Sequence, residues 1–226
     1  MKTSRFLMEA LIFAAVFLSC TCGQAPVITA QPGERLKLPA PDTKGKMPLE
    51  QALAHRASVR EFSRQPLTQA ELSQLLWAAQ GITHGKSGRT APSAGALYPL
   101  EVYVAAPDGF YRYEPYGHEL HRITINDLRI NISKAALSQQ ALADAAAVFV
   151  FTAVFERTER RYGKERAQRY VLIEVGHAAQ NLLLEAVALG LGGVPIGAFN
   201  DSQLQKALPV PADHTVLYLV AIGRPG

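Results

Sequence analysis

Thiols are almost absent from this chain: of 226 residues two are cysteine, Cys20 and Cys22, close to the amino terminus. Two cysteines that near each other staple nothing useful, so a disulfide framework is excluded. The six histidines fall at no metal-ligand spacing, and no His or Cys cluster suggests zinc or another metal. Charge is sparse too. Asp, Glu, Lys and Arg make up 19% of the residues, the formal net charge is +4, and the basic residues are scattered, so the footprint of a nucleic-acid binder is missing. An uninterrupted apolar run long enough to span a bilayer is also lacking: the run at 10–18 is too short. The apolar stretch 171–192 is broken by Glu174, His177, Asn181 and Glu185 at steps of three, four and four, which form one polar stripe on a helix. Two carboxylates near the middle of a span would each cost about 2.5–3.5 kcal/mol to insert, so a buried helix with a polar seam fits better.

What is present begins with an export signal. Lys2 and Arg5 precede the apolar run at 10–18 and small residues follow it, the layout of a secretory signal peptide over 1–23. The chain is therefore expected outside the cytoplasm, as a bacterial periplasmic or envelope protein. Cleavage after Gly23 would leave a mature chain without thiols. Alternatively, Phe17-Leu18-Ser19-Cys20 resembles a lipoprotein cleavage box, with Cys20 as the lipidated residue. Residues 24–47, with Pro26, Pro32, Pro39 and Pro41, read as a linker or a surface arm ahead of a single domain at 48–226. A hydrophobic content of 48% is enough for one well-cored domain of that size.

Within the domain the pattern predicts a short helix at 49–55 and an amphipathic helix opened by the capping box Thr68-Gln69-Ala70-Glu71 and closed at Gly81. A mobile loop at 82–90 follows, then strands at 101–105, 109–114 and 119–123, the first two joined by hairpin chemistry at Ala106-Pro107-Asp108. A helix is expected at 127–138, and the segment 145–155 is apolar enough for a central strand covered on both faces. The longest helix is expected at 165–191. A short helix at 201–208, capped by Asn200 or Asp201, precedes a last strand at 215–222.

Candidate functional residues gather in a few places. Arg56, Ser58 and Arg60 alternate, so in an extended segment they project to one side. Two guanidinium forks with a hydroxyl between them suit a phosphate, with a solvated basic loop as the plain alternative. Arg224, just past the last strand, is either a partner for the same anion or a solvated terminal arginine. Gly192, Gly193 and Gly197 stand in a run without charge and imply close approach of backbone to something flat or bulky. Glu174 and His177 are read as a pair, catalytic or structural.

The order Arg-x-Ser-x-Arg at 56–60, Pro-Ser-Ala-Gly-Ala-Leu-Tyr-Pro at 92–99, a long apolar helix, Gly-Gly-Val-Pro-Ile-Gly at 192–197 and a strand ending Gly223-Arg224 resembles the nitroreductase family of FMN-dependent oxidoreductases. The 92–99 stretch is most similar to its SagB-type dehydrogenase branch, and the resemblance covers about 49–226. It implies an α+β sandwich whose mixed, mostly antiparallel sheet has helices on both faces. It also implies an intimate homodimer with two flavins at the interface and the long helix at or near the contact. By that resemblance Arg56, Ser58 and Arg60 hold the FMN phosphate and ribityl chain, and Arg224 closes on the phosphate. Pro92, Ser93, Ala94 and Gly95 lie over the isoalloxazine, commonly from the partner subunit. Gly192, Gly193 and Val194, with Pro195, Ile196 and Gly197, meet the flavin's polar edge with backbone groups. The implied reaction is a ping-pong exchange in which a reductant such as NAD(P)H and a small organic acceptor use the flavin in turn. The hard chemistry is the cofactor's, and no catalytic side chain is assigned. Two features depart from the family pattern. Azoline-forming members of the SagB branch use an adjacent Lys-Tyr pair that this sequence lacks, and an export signal without a twin-arginine pair sits badly with a nicotinamide reductant. A non-catalytic flavin-binding envelope protein, or a module for another phosphate-bearing ligand, are the other readings.

Overall fold

The computed structural model describes residues 33–85 and 88–226. The expected signal peptide, both cysteines, the first residues of the 24–47 arm, and Lys86 and Ser87 of the 82–90 loop lie outside the described residues. Strands β1 (Arg35–Lys37), β2 (Leu100–Ala106), β3 (Gly109–Glu114), β4 (Glu119–Thr124), β5 (Ala147–Ala153), β6 (Gly192–Ile196) and β7 (Thr215–Gly223) form one sheet in the order β1-β4-β3-β2-β5-β7-β6. Among the described residues every ladder is antiparallel, and the parallel component of the expected mixed sheet is a single bridge between Ser58 and Gly193.

Helices α1 (Leu49–His55), α2 (Gln69–Gln80), α3 (Arg129–Ala135), α4 (Gln140–Asp144), α5 (Glu156–Tyr162), α6 (Lys164–Ala188) and α7 (Asp201–Ala207) complete the chain. The two faces of the sheet follow from side-chain alternation. Val102 and Val104 of β2 and Phe149 and Phe151 of β5 turn to one face, where Leu72, Leu75 and Leu76 of α2 and Val171, Val175 and Leu182 of α6 cover them. Tyr103, Ala105, Val148 and Val150 turn to the other face, covered by Ile132 of α3, Leu142 of α4 and Leu204 of α7. Strand β5, between β2 and β7, is buried along its whole length, as a doubly covered central strand must be.

The capping box forms as expected. Thr68 Oγ accepts from the Glu71 N–H at 3.2 Å, and Glu71 Oε2 accepts from the Thr68 N–H at 2.7 Å. Gly81 ends this helix through space rather than through a left-handed cap: its φ is −66°, and a Cβ there would lie 2.2 Å from Trp77 Cδ1. Asn200, not Asp201, caps α7, accepting from the Gln203 N–H at 2.9 Å. Four elements, β1, α4, α5 and β6, are not among those the pattern predicts. Part of the arm pairs with β4 as β1 and buries Leu38, and α4 and α5 flank β5. Strand β6, with two glycines and a proline, also reads poorly as a strand, but it lies at the edge of the sheet, where proline is tolerated. The long helix α6 has the length and hydropathy of a membrane span, yet it lies on α2 and the sheet.

Candidate functional site

The segment after α1 is held across one edge of the sheet. Arg56 is the C-cap of α1 and leaves it in an extended conformation, with φ −61° and ψ 116°. Ser58 then bridges Gly193, and the Val59 N–H donates to the Gly193 carbonyl at 3.0 Å. Phe62 bridges Pro225, the Ser63 N–H donates to the Arg224 carbonyl at 2.9 Å, and the Gly226 N–H donates to the Glu61 carbonyl at 3.1 Å. The basic triad, the glycine-rich strand and the C-terminal Gly-Arg are thereby brought to one place. The apolar side chains of the segment turn toward the protein: a Cβ on Gly192 would lie 2.7 Å from Val59, and one on Gly223 2.8 Å from Phe62. Ser58 and Arg60 are exposed and Arg56 is half-buried. Among the described residues neither Arg56 nor Arg60 has a carboxylate within ion-pairing distance, so both guanidiniums keep their charge for another partner.

Arg224 differs from the expectation. Its Nη2 donates to Glu71 Oε1 at 2.8 Å and Oε2 at 3.1 Å, tying the end of β7 to the capping box of α2. Its Nε is buried without a hydrogen-bond partner. The arginine at the strand end is therefore neither solvated nor wholly free for an anion.

The glycine-rich strand is packed closely by the chain itself. Gly192, Gly193 and Val194 are buried within the chain itself. The bodies that approach the two glycines are Val59 and, at 2.4 and 3.0 Å from a Cβ on Gly193, Ile222 and Leu183. Only past them does the run emerge: Pro195 is half-buried, and Gly197 is exposed with nothing nearer than Tyr218 at 3.7 Å.

Pro92, Ser93, Ala94 and Gly95 form an irregular turn with a single 3₁₀ turn at Ala94–Ala96, held from both sides. Ser93 Oγ accepts from the Tyr98 N–H at 2.9 Å, and Asn181 of α6 donates to the Thr90 carbonyl at 3.2 Å. Gly95 has φ +62°, a conformation side chains disfavour, and a Cβ there would meet Tyr162 Oη at 2.7 Å and Arg161 Nη1 at 3.0 Å. Arg161 and Tyr162, at the end of α5, thus join the site although nothing in their sequence context singled them out. Pro92 and Gly95 are exposed, Ser93 and Ala94 half-buried.

The polar stripe of α6 divides. Glu174 is 3% exposed and faces the turn, Asn181 and Glu185 are half-buried, and His177 is exposed, so Glu174 and His177 are not a pair. Burial pushes the Glu174 carboxyl up to about 7, against the opposing pull of the Ser93 hydroxyl and the Arg89 charge. Its Oε1 has no hydrogen-bond partner. Burial also raises Glu185, opposed by a hydrogen bond from Gln74. No cluster of three or more potential metal ligands occurs among the described residues.

Comparison with known proteins gives the family of the chain. The sequence model of the nitroreductase family matches residues 53–224. The Methanocaldococcus jannaschii protein MJ1384, which carries a nitroreductase name, is 42% identical over 198 residues, 85% of this chain and 98% of its own length. The trifolitoxin operon protein TfxC of Rhizobium leguminosarum is 26% identical over 76% of this chain and 54% of its own, and supports the similarity to the SagB-type branch. The NADPH-flavin oxidoreductase of Vibrio harveyi is 27% identical over 78% of this chain and 65% of its own. The crystal structure of a nitroreductase-family protein from Ralstonia eutropha superposes with a TM-score of 0.78 at 33% identity, covering 89% of this chain and 97% of that one. With the family model spanning most of the domain and the 56–63 segment docked where β6 begins and β7 ends, the chain belongs to the nitroreductase family.

Proposed function

We propose that this protein is an FMN-dependent oxidoreductase that passes electrons from a reductant, such as NAD(P)H, to a small organic acceptor. The observation that carries this reading is the docking of 58–63 onto Gly193 and 224–226, which sets two unneutralised arginines and a serine along the edge of the sheet where β6 begins and β7 ends. This donor set fits the phosphate of FMN. Arg56 and Arg60 have charge to spare, Ser58 offers a hydroxyl, and the buried, unpartnered Nε of Arg224 adds a donor behind them. Bound FMN would supply two-electron hydride chemistry, and the chain's work is to hold and orient it. Pro195 and Gly197 present exposed or half-exposed backbone to the ring's polar edge. Gly192, Gly193 and Val194 shape the strand behind it. The 92–95 turn, braced by Asn181 and Glu174, would cover the ring of the partner subunit's flavin.

A homodimer completes the reading. Two cavities formed by the described residues, of about 200 and about 300 Å³, are lined by none of Arg56, Ser58, Arg60 and Gly197. The anchor faces outward, and the exposed apolar residues Leu49 and Leu53 of α1 and Leu172 and Ile173 of α6 suit a second copy of the chain. Reductant and acceptor occupy one slot in turn, giving ping-pong kinetics. The amino-terminal segment is proposed to export the protein, free after cleavage or anchored through Cys20.

The test is an absorbance spectrum of the full chain purified with FMN supplied, followed by anaerobic NADH or NADPH. Flavin bands that bleach on mixing support the reading in full. Bands that persist with NAD(P)H but bleach with dithionite leave a flavoprotein with another reductant or none, and a colourless protein refutes the site assignment.

A further inference from the structure

The cavity of about 200 Å³ is lined by none of the residues assigned to the flavin. It lies where the end of α2, the starts of β2 and α5, and the turn after β3 meet. Leu100, Val102, Tyr113, Pro115 and Tyr116 give it an apolar and aromatic wall. Its polar lining is built around arginines. Glu101, buried in the floor, accepts from Arg112 Nε at 3.0 Å and from Arg157 Nη2 at 2.5 Å, so these two share one carboxylate.

Arg89, the third arginine, has no such partner. Among the described residues no carboxylate lies within 4 Å of it: Glu174, outside the lining, feels its charge only from farther off and is held protonated by burial up to about 7, and Glu114, the other acid of the lining, accepts from the Tyr116 N–H at 3.2 Å. Its guanidinium is fixed all the same: Nη1 donates to Gln80 Oε1 at 2.8 Å, and the group lies 4.6 Å from the Tyr98 ring centre and 5.9 Å from that of Tyr116. Gln80 is 1% exposed and commits a buried amide to holding this one cation. Aromatic faces and an amide oxygen orient a guanidinium but do not neutralise it. A half-buried cation in a cavity with three arginines and two glutamates calls for an anion as its counter-charge.

We propose that this cavity binds a small aromatic or otherwise cyclic carboxylate, its carboxylate paired with Arg89 beside Arg112 and Arg157 and its ring against Tyr113, Leu100 and Pro115. The wall selects the apolar body and the unneutralised guanidinium selects the charge. This site stands apart from the flavin reading, because Arg56, Ser58, Arg60 and Arg224 do not line it.

Benzoate is the probe and benzamide its uncharged control, titrated calorimetrically into the full chain saturated with FMN. The variant is Gln80→Glu, which keeps an acceptor for Arg89 and supplies an internal counter-charge. Gln80 Nε2 is buried without a partner, so converting it to an oxygen breaks no bond. Benzoate is expected to bind the natural protein at least tenfold more tightly than benzamide, and Gln80→Glu to weaken benzoate at least tenfold with flavin absorbance unchanged. Arg89→Gln, which leaves Gln80 in place, gives the same test should Gln80→Glu fail to fold. No binding at millimolar benzoate, equal binding of benzamide, equal binding by both variants, or binding that competes with FMN each overturns the proposal. The titration also runs on a chain that retains no flavin, so failure of the flavin reading is seen separately.

Discussion

Replacing Glu174 by glutamine isolates one buried proton. In the unfolded chain this carboxyl ionises near 4.5, whereas burial holds the proton on the folded side chain up to about 7. The folded state therefore binds more protons than the unfolded state across that window, and stability falls as pH rises through it. The full displacement, from 4.5 to about 7, corresponds to about 3 kcal/mol between pH 4 and pH 8. Glutamine has nearly the same shape and no charge to bury, so Glu174→Gln removes this slope. Relative to the natural protein, the variant should be equal or slightly weaker at pH 5 and about 2–3 kcal/mol more stable at pH 8. Urea unfolding at fixed FMN concentration, at pH 5, 6, 7 and 8, measures both curves. Other groups titrate in the same range: burial depresses His118 and His214, which makes stability rise with pH, opposite in sign to Glu174. Taking the difference between the two proteins at each pH cancels them. A variant destabilised by the same amount at every pH would show that Glu174 is ionised in the fold and acts only through its contact with Ser93.

Removing the exposed guanidinium in Arg60→Ala should weaken FMN binding by on the order of tenfold to a hundredfold, read by fluorescence titration, while the melting temperature of the apoprotein holds. Gly193→Ala places a methyl 2.4 Å from Ile222 Cδ1 and should cost about 1–3 kcal/mol of stability in urea unfolding. Thr68→Ala removes one half of the capping box and loosens Glu71, the partner of Arg224; denaturation should register a loss of about 1 kcal/mol. Leu172→Glu, at a 56% exposed position of α6, should shift a dimer toward monomer in sedimentation at micromolar protein and release flavin with it.

How much of this could be read from the sequence depends on the range of the interaction involved. Local patterns spoke clearly: Thr68 and Glu71 are three residues apart and their cap is visible in the string, and the unbroken apolar run of β5 marks a strand covered on both faces. Elements stabilised by distant partners were silent. The arm residues Arg35–Lys37 have no pattern of their own and become a strand only because β4 offers an open edge. Similarly, β6 looks like a loop because Gly192 and Gly193 were selected for what lies against them, Val59 and Ile222, and not for strand propensity. The same distinction divides the site. Arg56, Ser58 and Arg60 advertise themselves by alternation, but the fate of Arg224 turns on Glu71, 153 residues earlier. The stripe on α6 was correct as geometry, yet one helix cannot show which of its polar residues face inward. Glu174 and Asn181 turn to the 90–93 segment and His177 does not, because the turn packs over one flank of the helix only. Arg89 is the extreme case. Its importance lies in the carboxylate it lacks, and a missing partner becomes legible only when every neighbour has a position.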